Sequence, residues 1–204
     1  ARYPAPVHGD ATAPVQKLKI VVLRDNFARI TDEGRKKHYE DALAALAKAG
    51  MQLVETKLPE FPAGDLVLML NAEAGAAFDD LTRNGGVEKL TAQKANDWPN
   101  SFRSSRLTPA VEYIRAARAR TLLMREFHKY LAGFDALVSP TGSQSLTITN
   151  LTGQPQIVVP CGFPKNEAMG LLFTGHLFEE GKLSRVAKAY QDATDWHLKR
   201  PPGF

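Results

Sequence analysis

Two short apolar runs flank one amphipathic helix near the start of the chain, and this order constrains the fold more than any other feature. Residues 19 to 24 and residues 52 to 57 carry β-branched and leucine side chains, which is typical of strands. Thr31 or Asp32 is predicted to cap the helix between them, and the helix ends at Gly50. This order predicts a βαβ unit with parallel strands, and therefore an α/β fold.

The rest of the chain continues to mix helices and strands. Helices are predicted over residues 65 to 83, from Thr108 or Pro109 to Leu131, and over residues 183 to 197; strands over residues 134 to 141, 156 to 160 and 170 to 175; and loops with short helices over residues 87 to 107. Residues 150 to 155 have the composition of a turn. Residues 1 to 17 are predicted to be an extended linker and residues 18 to 204 a single α/β domain, so the chain is expected to be cut from a longer protein.

Composition is that of an ordinary soluble domain. The 204 residues are 44% apolar and 24% charged, and no segment approaches the ~20 apolar residues needed to cross a bilayer. The formal charge of +4 is spread along the chain, so neither a nucleic-acid partner nor a membrane partner is predicted. The single cysteine, Cys161, excludes an internal disulfide and is interpreted as a small buried hydrophobe, which favours a cytoplasmic location.

Three motifs follow one another in the second half of the chain. They are D-A-L-V-S-P-T at residues 135 to 141, N-L-T-G-Q-P at residues 150 to 155, and V-P-C-G-F at residues 159 to 163. Their order resembles the C-terminal part of the amidase signature family, and looser similarity extends upstream through residues 98 to 103 and 109 to 114. The resemblance implies a mixed sheet flanked by helices, here a partial fold, in a hydrolase of carboxylic amides.

The residues that perform chemistry in that family are not found in this sequence. The family uses a serine nucleophile, bridged by a second serine to a lysine base, in a G-G-S-S-G-G segment whose glycines let backbone N–H groups reach the oxyanion. No such segment occurs, and the adjacent pair Ser104 and Ser105 has no glycine nearby. No catalytic residue is therefore predicted. The chain is expected to form a wall of the substrate cleft, to be inactive alone, and to associate with the missing N-terminal half or with itself.

Three residues are candidates for substrate binding. Arg120 projects into the apolar face of the long helix, where a guanidinium needs an acceptor. A structural ion pair is one interpretation; the other, implied by the resemblance, is an arginine that holds a substrate carboxylate. Thr141 and Asn150 are placed in strand-end loops, and the resemblance implies that these loops lie near the substrate cleft, although both residue types also make turns. The stretch between them is shorter than in family members that use glutamine.

Other kinds of site are disfavoured. Neither G-x-G-x-x-G nor a phosphate-binding P-loop occurs, and the histidines lack metal-ligand spacing, so no cofactor and no metal are predicted. Two alternatives to the enzyme hypothesis stay open. The chain could be a non-catalytic binding or interaction module that reuses this fold, or, less in keeping with its charge, a nucleic-acid-binding domain that uses the arginines of the long helix.

Overall fold

The computed structural model describes residues 12 to 201 and residue 203. Within them the strands are β1 (Lys19–Val22), β2 (Gln52–Glu55), β3 (Ala136–Pro140), β4 (Gln156–Gly162) and β5 (Met169–Thr174). The α-helices are α1 (Arg24–Ala28), α2 (Glu33–Lys48), α3 (Val67–Ala77), α4 (Asp79–Arg83), α5 (Trp98–Ser105), α6 (Ala110–Leu131), α7 (Gln144–Thr152) and α8 (Glu180–Thr194). Short 3-10 turns occupy Gly86–Lys89, Pro164–Asn166 and Trp196–Leu198.

The strands form one mixed sheet in the order β2-β1-β3-β5-β4. Strand β1 runs parallel to both β2 and β3, whereas β5 runs antiparallel to β3 and β4. The predicted parallel βαβ unit is therefore confirmed, and so is the mixed sheet with flanking helices. A bulge between Pro160 and Gly162 interrupts the register of β4 with β5.

Helix α2 is stabilised by a cap at its start, a glycine at its end and one apolar stripe of side chains. The Asp32 carboxylate accepts a hydrogen bond from the Arg35 backbone N–H at 2.9 Å, which satisfies one of the free donors of the first turn. Gly50 follows the last turn with φ of 92°, the left-handed conformation in which helices commonly end. The stripe is buried against one face of the sheet; its members are Tyr39, Ala42, Leu43 and Leu46.

The core lies on the face of the sheet that α2 and α8 cover. Alternate residues of the strands point to this face, as the pleat requires. Its buried members from the sheet include Ile20, Val22, Val138, Leu171 and Phe173, and those from α8 are Leu183, Val186, Ala187 and Tyr190. The ring of Phe173 packs edge to face on Tyr190, with centroids 6.0 Å apart. The sheet and the two helices that cover this face therefore share one apolar interior.

Contacts divide the chain into two compact units. The second unit is Phe61–Arg125, and the first holds the flanking segments with the whole sheet. Val15 is buried and the Lys17 backbone N–H donates to the Gly50 carbonyl at 2.9 Å, so the end of the predicted linker packs on the first unit. Residues 1 to 11 of that linker lie outside the described residues. A single domain over residues 18 to 204 stays a prediction.

The helix predicted over residues 65 to 83 is broken in the structure. Helix α3 ends and α4 begins at Phe78, whose φ and ψ of −106° and 24° are not helical. The Phe78 ring stacks on Phe102 of α5, with centroids 4.7 Å apart. This tertiary contact favours a break that helix propensity alone does not encode. Helix α6, by contrast, is confirmed, and no helix in the described part of the chain is long and apolar enough to span a membrane.

The turn predicted over residues 150 to 155 is wrong at its start, because α7 runs through residue 152. Ile148 and Thr149 are buried, and the hydroxyls of Thr149 and Thr152 donate to carbonyls one turn earlier. Packing of this face stabilises the helix despite its β-branched residues. Gly153 ends the helix with φ of 88°. Asn150 therefore lies on the last turn of a helix and not in a strand-end loop.

Candidate functional site

A cleft lies where β1 and β3 end. These strands are parallel neighbours, so their carboxyl ends meet at the same edge of the sheet. After β1 the chain goes to β2 on one side of this pair, and after β3 it goes to β4 on the other side. Such a reversal of direction is called a topological switch point, and ligands of open α/β sheets bind there. We name this feature the switch-point cleft; its volume is about 160 Å³ and it is lined by Asn26, Arg29, Ile30, Pro140, Thr141, Gly142, Ser143 and Gln144.

Thr141, one of the predicted substrate-binding residues, lines this cleft and is exposed. It also contacts the buried hydroxyl of Tyr39, which donates to the Gly170 carbonyl at 3.2 Å. Burial raises the pKa of Tyr39 and nearby Cys161 adds to that effect, while hydrogen bonds from the Thr141 hydroxyl and backbone N–H oppose it. Thr141 therefore connects the loop between β3 and α7 to Tyr39 of α2. This contact is structural and does not depend on a ligand.

Three serine hydroxyls cluster beside the cleft, and sequence reasoning missed them. Ser139 and Ser145 are fully buried and hydrogen-bond each other at 3.0 Å. Ser143 lies 2.6 Å from Ser145 and donates to Ser139 at 3.2 Å. Within the described residues, these hydroxyls hydrogen-bond only one another, and neither lysine nor histidine joins them. A serine without a base is a weak nucleophile, so the cluster has the character of a structural network.

Asn150 does not line the switch-point cleft. It is exposed, six positions beyond Gln144 on α7, which is ~9 Å along the helix axis at the usual rise per residue. The neighbouring Thr149 is the residue that this turn buries. Helix α7 therefore separates Asn150 from Thr141. The four-residue spacing of Ile148 and Thr152, both buried in α7, was the sequence signal for this helix. The turn-forming residues around them obscured the pattern.

Arg120 belongs to α6 in the second unit and is half-buried. The Tyr113 hydroxyl, two turns earlier, donates to Glu73 at 2.9 Å, and this hydrogen bond is the main cause that raises the pKa of Tyr113. The positive charge of Arg120 acts in the opposite direction, so its guanidinium lies close enough to be felt there. The three predicted substrate-binding residues thus divide between the two units, and their substrate role stays a prediction.

A second groove lies within the second unit. It has a volume of about 700 Å³, and its lining includes Glu73 and Tyr113 together with the ionic cluster of Asp79, Arg83 and Arg106. The Asp79 carboxylate lies 2.5 Å from Arg83 and 3.4 Å from Arg106. The spacing of four residues between Asp79 and Arg83 was the available sequence signal, since such pairs meet on one helix face.

The other nucleophile candidates are held in structural contacts. The hydroxyls of Ser104 and Ser105 donate to carbonyls three residues earlier, in the last turn of α5. Cys161 is buried, and burial raises the pKa of its thiol to about 12, so the reactive thiolate is scarce at neutral pH. In the described stretch of the chain, no three histidine, cysteine or acidic side chains come together as metal ligands.

Comparison with known proteins identifies the family. The family model described as Amidase matches residues 3 to 149, which is most of the chain. This chain belongs to the amidase family. The motif at residues 135 to 141 and the first part of α7 both fall inside the matched region.

The curated relatives of this amidase-family chain are about twice as long. One subunit of the glutamyl-tRNA(Gln) amidotransferase of Synechococcus sp. (strain JA-2-3B'a(2-13)) is 28% identical over 97% of this chain and 46% of the relative. The corresponding amidotransferase subunit from Geobacillus kaustophilus is 29% identical over 98% of this chain and 50% of the relative. The chain therefore spans about half the length of the curated relatives it matches.

Solved structures share the fold of this amidase-family chain. The native peptide amidase of Stenotrophomonas maltophilia matches with a TM-score of 0.72 and 23% identity, over 96% of this chain and 46% of that one. An amidase family protein from Bacillus anthracis str. Ames matches with a TM-score of 0.71 and 20% identity, over 94% and 41% of the two chains. At this level of identity the similarity establishes the fold.

Proposed function

We propose that this chain forms one wall of the amide-binding cleft of an amidase-family hydrolase and is inactive on its own. One observation carries the proposal: the buried hydroxyls of Ser139 and Ser145, with that of Ser143, hydrogen-bond one another and, among the described residues, no base. The absence of a G-G-S-S-G-G segment from the sequence agrees with it. Family membership supplies the reaction class, which is hydrolysis of a carboxylic amide C–N bond.

The nucleophile, in this proposal, comes from a second polypeptide segment that packs on the sheet. Strand β4 is the edge of the sheet and, within residues 12 to 201 and 203, pairs only with β5. Its Val158 side chain is 58% exposed at the centre of the strand, and an unpaired edge with an apolar side chain is a template for another strand. The length of the curated relatives is consistent with a second segment of similar size.

Arg120, Thr141 and Asn150 are the residues that we propose contact the amide substrate in the assembled enzyme. Thr141 lines a cleft in the first unit, and Asn150 is exposed on α7. The relatives above are named as an amidotransferase for glutamyl-tRNA(Gln) and as a peptide amidase. We extend to this chain only the chemical class that they share, a carboxylic amide, and no nucleic acid or membrane partner.

An amidase assay tests the proposed inactivity. The isolated chain is incubated with acetamide and benzamide, and ammonia release is measured, with a full-length peptide amidase as the positive control. We expect no turnover above the buffer. Turnover that disappears when Ser139, Ser143 and Ser145 are changed together to alanine would place the nucleophile in this chain. Turnover that survives this change would equally contradict the proposed inactivity and would place the nucleophile elsewhere in this chain.

Sedimentation tests the proposed packing surface. We expect the chain to self-associate, or to bind a separately expressed N-terminal half, and we expect Val158→Lys to weaken either association. Thr147→Lys, at a half-buried position of α7, is the matched charge control. A chain that stays monomeric and ignores the N-terminal half would favour the alternative of a free-standing binding module.

A further inference from the structure

We propose that the switch-point cleft is a binding site for a small carboxylate, held by Arg29 and Asn26. The proposal concerns residues that follow β1 and that play no part in the proposed amide hydrolysis. Thr141, a proposed amide contact, also lines this cleft, but the test of the carboxylate site is binding of a charged ligand to the isolated chain, so it can fail without the proposed hydrolysis failing.

Arg29 provides the positive charge. It lines the cleft, it is exposed, and its guanidinium has no ion-pair partner among the residues that the structure describes. A guanidinium has five N–H donors in a planar fork and no acceptor, and this fork matches the two oxygens of a carboxylate. Because no acidic side chain of the described residues pairs with Arg29, its guanidinium is available to hydrogen-bond the carboxylate of a ligand.

Asn26 provides a second donor. It lines the same cleft, and its Nδ2 atom is enclosed by protein without a hydrogen-bond partner in the described part of the chain. An enclosed amide donor that lacks an acceptor lowers the stability of the fold, so such atoms are uncommon in folded proteins. A rotation of the Asn26 side chain toward the cleft would let a ligand oxygen satisfy this donor.

The surrounding charges leave the cleft positive. The nearest acidic residues along the chain are neutralised elsewhere: Asp25 pairs with Lys57 at 3.2 Å. Asp32 pairs with Lys165 at 2.5 Å. No carboxylate of the described residues lines the cleft, whereas Thr141 and Ser143 bring hydroxyls to it. The lining is therefore rich in donors and carries one formal positive charge, which disfavours a cation and favours an anion.

The volume of the cleft limits the size of the ligand. A volume of about 160 Å³ equals roughly five water molecules at about 30 Å³ each. This space fits a carboxylate with a short carbon chain. Since the cleft is open and small, we expect a dissociation constant on the order of millimolar.

Nuclear magnetic resonance with acetate as the probe tests the site. The ¹⁵N-labelled chain is titrated with sodium acetate at ionic strength held constant with sodium chloride, and acetamide is the neutral molecule of the same shape. We expect acetate to shift the backbone amides of residues 141 to 144 and the side-chain amide of Asn26, and to saturate. We expect acetamide, which lacks the charge, to leave the side-chain amide of Asn26 unmoved; the backbone amide of Thr141 is left out of this comparison because Thr141 is also a proposed amide contact.

Two variants of matched charge complete the test. Arg29→Met should weaken acetate binding about tenfold, because a charge-assisted hydrogen bond is lost. Arg118→Met removes the same charge from an exposed arginine of α6 that does not line the cleft, and it should leave the affinity unchanged. Asn26→Asp, which places a carboxylate in the cleft, should abolish binding. Equal shifts from acetate and acetamide, equal weakening by both arginine variants, or shifts that never saturate would each overturn the proposal.

Discussion

The imidazole ring of His38 occupies the space in which a side chain at position 162 would begin. A Cβ atom built on Gly162 would lie 2.6 Å from the His38 Cγ and Nδ1 atoms, closer than real Cβ contacts occur. His38 is held there by Trp196, which packs edge to face on it with centroids 5.4 Å apart, and Trp196 packs in turn on Phe163 at 5.7 Å. Position 162 of the V-P-C-G-F motif therefore has to be glycine, because the His38 side chain of α2 fills the space next to it.

Gly162→Ala should lower the free energy of unfolding by about 2–3 kcal/mol, because the new methyl group displaces the His38 ring and the φ of 157° disfavours a side chain. Urea denaturation monitored by circular dichroism measures this change. Gly133→Ala is the matched control, since no atom lies within 4 Å of its added Cβ and its φ is not positive. If the two variants lose the same stability, the contact with His38 is not the cause.

The sequence was sufficient for the parts of the fold that local patterns encode. The βαβ unit, a helix cap at Thr31 or Asp32 and the long helix ending at Leu131 were all predicted, and each depends on neighbours along the chain. The break at Phe78 depends on a ring stacked from α5, so no local pattern reports it. The serine cluster was missed for the same reason, since Ser139 ends a strand while Ser145 begins a helix.

Asp32 should make stability depend on pH in the acidic range. A hydrogen bond from Lys165, followed by one from the Arg35 backbone N–H, lowers the pKa of Asp32 below its usual 3.8. The charged form is thus favoured in the folded state, so its contribution is fully present above the usual pKa and is lost as pH falls through the lowered one. Urea denaturation from about pH 6 to about pH 2 should show a steeper loss in the wild type than in Asp32→Asn, whose neutral amide does not titrate. Parallel pH profiles would contradict this assignment.

Tyr39 and Thr141 should be energetically coupled. Tyr39→Phe removes the donor to the Gly170 carbonyl and the acceptor for Thr141, and it should lower the free energy of unfolding by about 1–2 kcal/mol. Thr141→Val keeps the shape of the side chain and removes its hydroxyl. If that hydroxyl supports the loop, the double variant should lose less stability than the sum of the single variants. Additive losses would mean that the Thr141 hydroxyl does not act through Tyr39, and would leave ligand contact as its main role.

Cys161 should be almost inert to thiol reagents in the native protein. Its side chain is 1% exposed, and burial raises its pKa from 9.0 to about 12, so at about pH 8 its thiolate is about a thousandfold scarcer than that of an ordinary cysteine. Reaction with a chromogenic disulfide should be at least about a thousandfold slower in buffer than in concentrated urea, which exposes the thiol. Because the chain has a single cysteine, Cys161→Ala should abolish the signal in both conditions and serves as the control. Native labelling at nearly the unfolded rate would instead require that β4 opens readily, since this strand holds Cys161 against the core that α2 and α8 cover.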